Sequence, residues 1–154
     1  MKREISIRAA VPEDRSAFIG WAASVETWFG PMVGVPAFEA ALDAALAGGA
    51  GLVACDPCGG LVGGILIAKE QREIGWLVVA EEGRGRGAGA ALLAAALELL
   101  GSGPVRVETF AEGVPAGVPA LRLYRRFGFL PTDLIGATPA GIPTRVLERS
   151  PGRP

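Results

Sequence analysis

Leu77-Val78-Val79-Ala80-Glu81-Glu82-Gly83-Arg84-Gly85-Arg86-Gly87-Ala88-Gly89-Ala90-Ala91-Leu92-Leu93 carries the chain from a β-branched strand through a glycine loop straight into an alanine–leucine helix. The first turn of a helix leaves backbone N–H groups without partners and carries the positive end of the helix dipole. Glycines let that backbone touch a ligand, so the junction suits a phosphate. Arg84 and Arg86 add charge able to offset a pyrophosphate. Tight turns alone also use glycine, but four glycines in seven residues with two arginines between them point to a ligand.

Three kinds of phosphate loop compete for this stretch. A P-loop requires G-x-x-x-x-G-K-[ST], and the chain has no Lys-Ser or Lys-Thr. A dinucleotide loop is matched by Gly85-x-Gly87-x-x-Ala90, with Glu108 near the end of the next strand. Against it, several residues separate the strand from Gly85, and the 46 residues after Glu108 are few for the rest of a doubly wound sheet. The third is an acetyl-CoA loop. Arg84-Gly85-Arg86-Gly87-Ala88-Gly89 resembles the [QR]-x-x-G-x-[GA] motif of the GNAT N-acetyltransferase superfamily, with Leu77-x-Val79 before it and Leu92-Leu93 after it. About 30 residues on, Ala120-x-x-Leu123-Tyr124-x-x-x-Gly128-Phe129 resembles a second motif of that family, A-x-x-L-Y-x-x-x-G-F. The close match covers Glu73 to Phe129, and the N-terminal third agrees in element order only.

The resemblance implies roles residue by residue. Leu77 and Val79 would pair through their backbone with the pantetheine arm of acetyl-CoA. Arg84, Gly85, Arg86, Gly87, Ala88, Gly89 and Ala90 would cradle the pyrophosphate. Tyr124 matches the tyrosine that often protonates the departing thiolate. Glu73, eleven residues before Arg84, has the spacing of the catalytic glutamate in the histone acetyltransferase branch. Partial burial beside Ile74 and Trp76 would make it a stronger base. Glu26 and Glu108 stand in reserve. The family often carries an asparagine where this chain has Gly117, so one side-chain contact to pantetheine is missing or comes from elsewhere.

Composition narrows the chemistry independently. The 154 residues suggest one domain, and 50% hydrophobic with 20% charged residues suits a packed globule. Fifteen basic against sixteen acidic residues give no electrostatic case for nucleic acid or a membrane surface. The absence of histidine removes Ser-His-Asp and Cys-His catalysis and nearly every transition-metal site, so no metal is expected. Cys55 and Cys58 form a C-x-x-C, but Asp56-Pro57 and Gly59-Gly60 between two strand-like runs are turn chemistry. No apolar run reaches bilayer length, and Met1 to Arg8 has no apolar segment behind its basic residues, so a cytoplasmic protein is expected.

The pattern predicts strands at 5–8, 51–55, 61–68, 73–79, 105–110, 129–135 and 144–149. Helices are predicted from Pro12, over 36–47, 88–100 and 119–127, with Thr27 to Val35 a loop and residues 150–154 a frayed tail. The expected fold is α/β: a single GNAT-like domain over 1–149 with a mixed, mostly antiparallel sheet and helices on both faces. Trp21, Trp28, Phe29 and Met32 read as core, as contacts of a homodimer, or as a wall of the acceptor site. The expected reaction moves acetyl from acetyl-CoA to a small-molecule or peptide amine. A CoA-binding module without turnover and a dinucleotide-binding fold are the alternatives.

Overall fold

The computed structural model describes residues 4–150. Seven strands form one sheet: β1 (Ser6–Ala9), β2 (Gly51–Cys55), β3 (Leu61–Ala68), β4 (Glu73–Val79), β5 (Val105–Phe110), β6 (Phe129–Ala137) and β7 (Pro143–Arg149). Four helices accompany them: α1 (Arg15–Phe29), α2 (Pro36–Ala47), α3 (Ala88–Leu100) and α4 (Val118–Arg126). The sheet order is β1-β2-β3-β4-β5-β7-β6, antiparallel throughout except between β4 and β5. This is the expected mixed α/β architecture. A doubly wound parallel sheet, and with it the dinucleotide-binding alternative, is overturned, because among the described residues β4 and β5 are the only parallel neighbours.

Each face of the sheet has its own apolar layer. Phe18 and Leu42 of α1 and α2 pack with Val53, Leu66 and Trp76 on one face. Leu92 and Leu93 of α3 and Tyr124 of α4 pack with Ile65, Val107 and Leu147 on the other. The two helix pairs are amphipathic by sequence, and each buries its apolar stripe against alternating strand residues.

Boundaries differ from the sequence expectation where side chains rather than patterning set them. A 3-10 turn over Pro12–Asp14 precedes α1, because Asp14 turns its carboxylate back onto the Val11 N–H at 2.9 Å. Helix α1 runs on through Trp28 and Phe29, which were expected in a loop, and stops at Gly30 with φ of 92°. The Glu26 carboxylate then collects the N–H groups of Met32 and Val33 at 2.7 and 2.8 Å, ordering the chain beyond the helix. Helix α4 starts at Val118 and ends at Arg126, one residue earlier at each end than expected. Strand β1 is shifted by one residue, and β6 continues to Ala137. The β2–β3 connection is the expected turn: Asp56 Oδ1 accepts from the N–H groups of Cys58 and Gly60, both at 2.9 Å. Both cysteines are free thiols. The expected tail falls largely on residues 151–154, outside the described residues.

Candidate active site

Only two rungs join β4 to β5: Glu73 opposite Arg106 and Ile74 opposite Val107. Beyond them the strands part, since β4 stays with β3 up to Val79 while β5 stays with β7 up to Phe110. The result is a fork in the middle of the sheet.

Hydrogen-bond alternation says which backbone groups line it. Ala80 N–H donates to the Val62 carbonyl at 2.8 Å, and the register carries that bonded phase to Val78 and Trp76. The intervening residues, Leu77 and Val79, therefore turn their N–H and C=O groups away from β3 and into the fork. On the other arm, Ala111 N–H donates to the Pro143 carbonyl at 2.9 Å and Arg106 N–H to the Arg72 carbonyl at 3.0 Å. By the same alternation Glu108 and Phe110 present their backbone to the fork. Sheet residues with no neighbouring strand are a template for an extended ligand.

At the open end of the fork sits the glycine loop. Gly85 and Gly87 have φ of 75° and 80°, and an added Cβ at either would meet nothing within 4 Å. Both thus face open space in a conformation that L side chains avoid. Helix α3 begins at Ala88 with no side-chain cap, and its first internal bond is Ala91 N–H to the Gly87 carbonyl at 3.0 Å. The N–H groups of Ala88, Gly89 and Ala90 precede that bond and are left for a ligand. Gly89 lies where three elements meet, an added Cβ falling 3.3 Å from Leu123 and 3.6 Å from Val79. Arg84 Nε donates to the Val79 carbonyl at 3.4 Å, and Arg86 Nη1 to the Glu82 carbonyl at 3.1 Å. Both guanidinium groups keep further donors for an anion. The cradle fits a pyrophosphate followed by an extended arm.

Tyr124 is buried on α4, its ring edge-on to Phe129 at 5.4 Å. Burial pushes its hydroxyl well above the ordinary phenol range, so it stays protonated across the physiological range. Among the described residues its oxygen has no hydrogen-bond partner, yet the one sealed-off orphan polar side-chain atom is Trp76 Nε1. The Tyr124 hydroxyl therefore touches solvent.

The three glutamates separate clearly. Glu26 is hydrogen-bonded by the Met32 and Val33 N–H groups, which hold its carboxyl below the usual range and make it a poor base. Glu73 is exposed at the closed end of the fork, so the expected partial burial is absent. Glu108 is also exposed, one residue past the last rung, and Thr144 Oγ1 donates to its Oε2 at 2.5 Å. Ile74 and Val107 pack toward α3, so Glu73 and Glu108, each next in sequence to one of them, share the opposite face. A shift in register gives β4 one extra residue, Gly75, between the partners of Ile67 and Leu66. That bulge lets Trp76 pack with Phe18 and Phe38 on the same face as Glu73.

Two contributors escaped the sequence reading. Arg72, which reads as part of a solvated charged turn, has φ of 56° and grips the carbonyls of Leu100, Gly101 and Pro104 at 2.6, 3.2 and 2.8 Å. It ties the start of β4 to the end of α3. Thr144, the buried partner of Glu108, gave no signal because it lies 36 residues away. Of Trp21, Met32, Trp28 and Phe29, Trp21 is half-buried against the core, edge-on to Phe18 at 5.1 Å, and Met32 is buried. Trp28 and Phe29 instead lie against Phe110, with centroids 6.4 and 4.9 Å away.

A family model described as acetyltransferase (GNAT) matches residues 11–129. The chain belongs to the GNAT acetyltransferase family. The same fold recurs in solved structures. Ard1 from Thermoplasma volcanium is 23% identical, with a TM-score of 0.75 over 97% of this chain and 99% of that one. A histone acetyltransferase HPA2 and related acetyltransferase from Corynebacterium glutamicum is 21% identical, with a TM-score of 0.68 over 100% and 99%. NAA60 of Arabidopsis thaliana in complex with acetyl-CoA is 18% identical, with a TM-score of 0.73 over 96% and 99%. No curated protein matches the sequence. Within this GNAT domain, no helix among the described residues is long and apolar enough to cross a membrane, and no three Cys, Asp or Glu side chains converge as a metal site.

Proposed function

We propose that the protein transfers an acetyl group from acetyl-CoA to a primary amine by direct attack. The observation that carries this reading is the backbone of Leu77 and Val79, which no neighbouring strand pairs on the fork side, running into the capless start of α3. Leu77 and Val79 would hold the pantetheine arm as an added strand. Arg84, Gly85, Arg86, Gly87, Ala88, Gly89 and Ala90 would hold the pyrophosphate. Acetyl-CoA supplies an activated acyl carbon with a thiolate leaving group.

The chain supplies the proton handling. An alkylamine with a pKa near 10.4 is only about one part in 10³ neutral at pH 7.4, so a base raises the reactive fraction. Glu73 is the proposed base, acting through a water because its exposed carboxylate sits at the closed end of the fork. The amine nitrogen forms the C–N bond and the C–S bond breaks with its electron pair on sulfur. Of the two protons nitrogen gives up, one is matched by the proton Tyr124 delivers to sulfur and the other leaves for solvent. Tyr124 is protonated across the physiological range and so carries the proton this step needs.

Calorimetry with CoA, followed by thiol release from acetyl-CoA with a panel of amines, tests the reading. CoA binding with amine-dependent thiol release is expected. Binding without release would leave a CoA-binding module, and no binding would overturn the cofactor assignment. Glu73→Gln should lower kcat/KM at pH 7 and move the rising limb of the profile to higher pH, where free amine is abundant. An unchanged rate and profile would return Glu73 to the solvated surface.

A further inference from the structure

Glu108 sits in a constructed position. Thr144, only 5% exposed, donates to Glu108 Oε2, and both lean over Gly136 on β6, where an added Cβ would come within 3.1 Å of each oxygen. A buried hydroxyl fixes the carboxylate, and a glycine leaves it room. Phe110, opposite Thr144 in the β5–β7 register, lies on the same sheet face. Its ring stacks on Phe29 and meets Trp28, which is 39% exposed. The end of α1 is itself locked over this face. Thr138 Oγ1 donates to the Trp28 carbonyl at 2.7 Å, and Gly30 approaches Pro139 so closely that a Cβ would lie 2.8 Å from Pro139 Cβ. Leu134, two residues before Gly136 and half exposed, adds apolar surface from β6. The cation of β5 on this face, Arg106, is already paired with Glu148 at 3.3 Å.

From this juxtaposition we infer that Glu108 receives the ammonium group of the acceptor while Trp28, Phe29 and Phe110 receive an aromatic substituent close to it. The acceptor is then a cationic arylalkylamine without a carboxylate beside the amine. The inference rests on the acetyltransferase reading above and assigns its acceptor class. Glu108 is placed for this: it lies one residue beyond the last β4–β5 rung, where the fork opens, whereas Glu73 lies at the closed end. A carboxylate attracts the ammonium and repels an anionic acceptor, and aromatic faces favour a cation and an aryl group together. Thr144 is a positioning residue acting through Glu108.

The test compares 2-phenylethylamine, ethanolamine and L-phenylalanine as acceptors at saturating acetyl-CoA, with CoA affinity measured separately on every variant. The wild type is expected to prefer 2-phenylethylamine at least about tenfold in kcat/KM over each of the others. Glu108→Gln should raise KM for 2-phenylethylamine at least about tenfold with kcat within roughly threefold and CoA affinity unchanged. Trp28→Ala should narrow the preference over ethanolamine. Thr144→Val should raise KM in the same sense, and Thr144→Ser should restore it. Equal use of the three amines overturns the inference, as does an unchanged KM in Glu108→Gln, or a fall in kcat alone. A protein that binds CoA but turns over none of the three overturns the inference and leaves the cofactor reading standing. Failure to bind CoA overturns the reading beneath it.

Discussion

Ile74 pairs with Val107, and that rung is the last that ties β4 to β5. Everything proposed for the site depends on the strands separating there, because separation frees the Leu77 and Val79 backbone on one arm and that of Glu108 and Phe110 on the other.

Gly87 and Gly59 form a matched pair for testing the cradle. Their φ angles are 80° and 87°, and neither would meet an atom within 4 Å on gaining a Cβ. Valine therefore strains both backbones alike. Gly87→Val should weaken CoA binding at least about tenfold, roughly 1.4 kcal/mol, while Gly59→Val in the β2–β3 turn should leave it unchanged. Equal affinities by calorimetry would remove the loop from the cofactor site.

Tyr124→Phe keeps the packing on Phe129 and removes only the hydroxyl. A general acid is worth about 10²–10⁴-fold, so kcat should fall by at least about tenfold with CoA affinity little changed. An unaltered kcat would make Tyr124 a core residue. Its raised pKa has a thermodynamic consequence as well. Above about pH 10 the unfolded chain loses this proton while the folded chain keeps it, so stability falls as pH rises beyond that point. Tyr124→Phe should flatten that alkaline decline in denaturant titrations.

Arg72 clamps β4 to the end of α3 through three backbone carbonyls. Hydrogen bonds from a charged donor are each worth about 1.5–3 kcal/mol at most, and these are partly exposed. Arg72→Ala should destabilise the fold by about 2–3 kcal/mol, lowering Tm by roughly 5–10 °C. Arg72→Lys should recover little of this, since an ammonium cannot span the three carbonyls. Thermal unfolding of both variants checks it, and a wild-type Tm in Arg72→Ala would reduce the clamp to a surface contact.

Asp14 is buried beneath Arg8, which donates from both terminal nitrogens at 2.8 and 3.0 Å. That guanidinium, helped by the Val11 N–H, holds the Asp14 carboxyl below the usual range. The resulting stability is present above the unfolded pKa and is lost as pH falls through the folded one. Wild-type stability should decline below about pH 4, and Asp14→Asn should cost about 1–3 kcal/mol at pH 7 while making the acid limb shallower. Parallel acid limbs in urea titrations would contradict this.

The geometry of the proposed cofactor cradle was legible in the sequence, because its parts are consecutive. Strand, loop glycines and helix start follow one another from Leu77 to Leu93, and a helix start leaves its first N–H groups free whatever surrounds it. Tyr124 was legible for the same local reason, lying in a short motif on one helix. The position of α1's end was not. Thr27, Trp28 and Phe29 read as loop, but Gly30 ends the helix and the Thr138 hydroxyl holds it from across the fold.

The surroundings of the three candidate glutamates were decided only by tertiary structure. Spacing nominated Glu73 with Glu26 and Glu108 in reserve, but it could not give the surroundings of any of the three. Two parallel rungs put Glu73 at the closed end of the fork and Glu108 at its opening, and the extra residue at Gly75 changes which face β4 side chains occupy. Glu26 lost its basicity to N–H groups six and seven residues on, and Glu108 gained its orientation from Thr144 on a different strand. Local sequence determines backbone phase and helix termini, whereas the number of rungs between two strands depends on what each one packs against. That number is set by the whole sheet, and it is what places one carboxylate at the opening of the fork and another at its closed end.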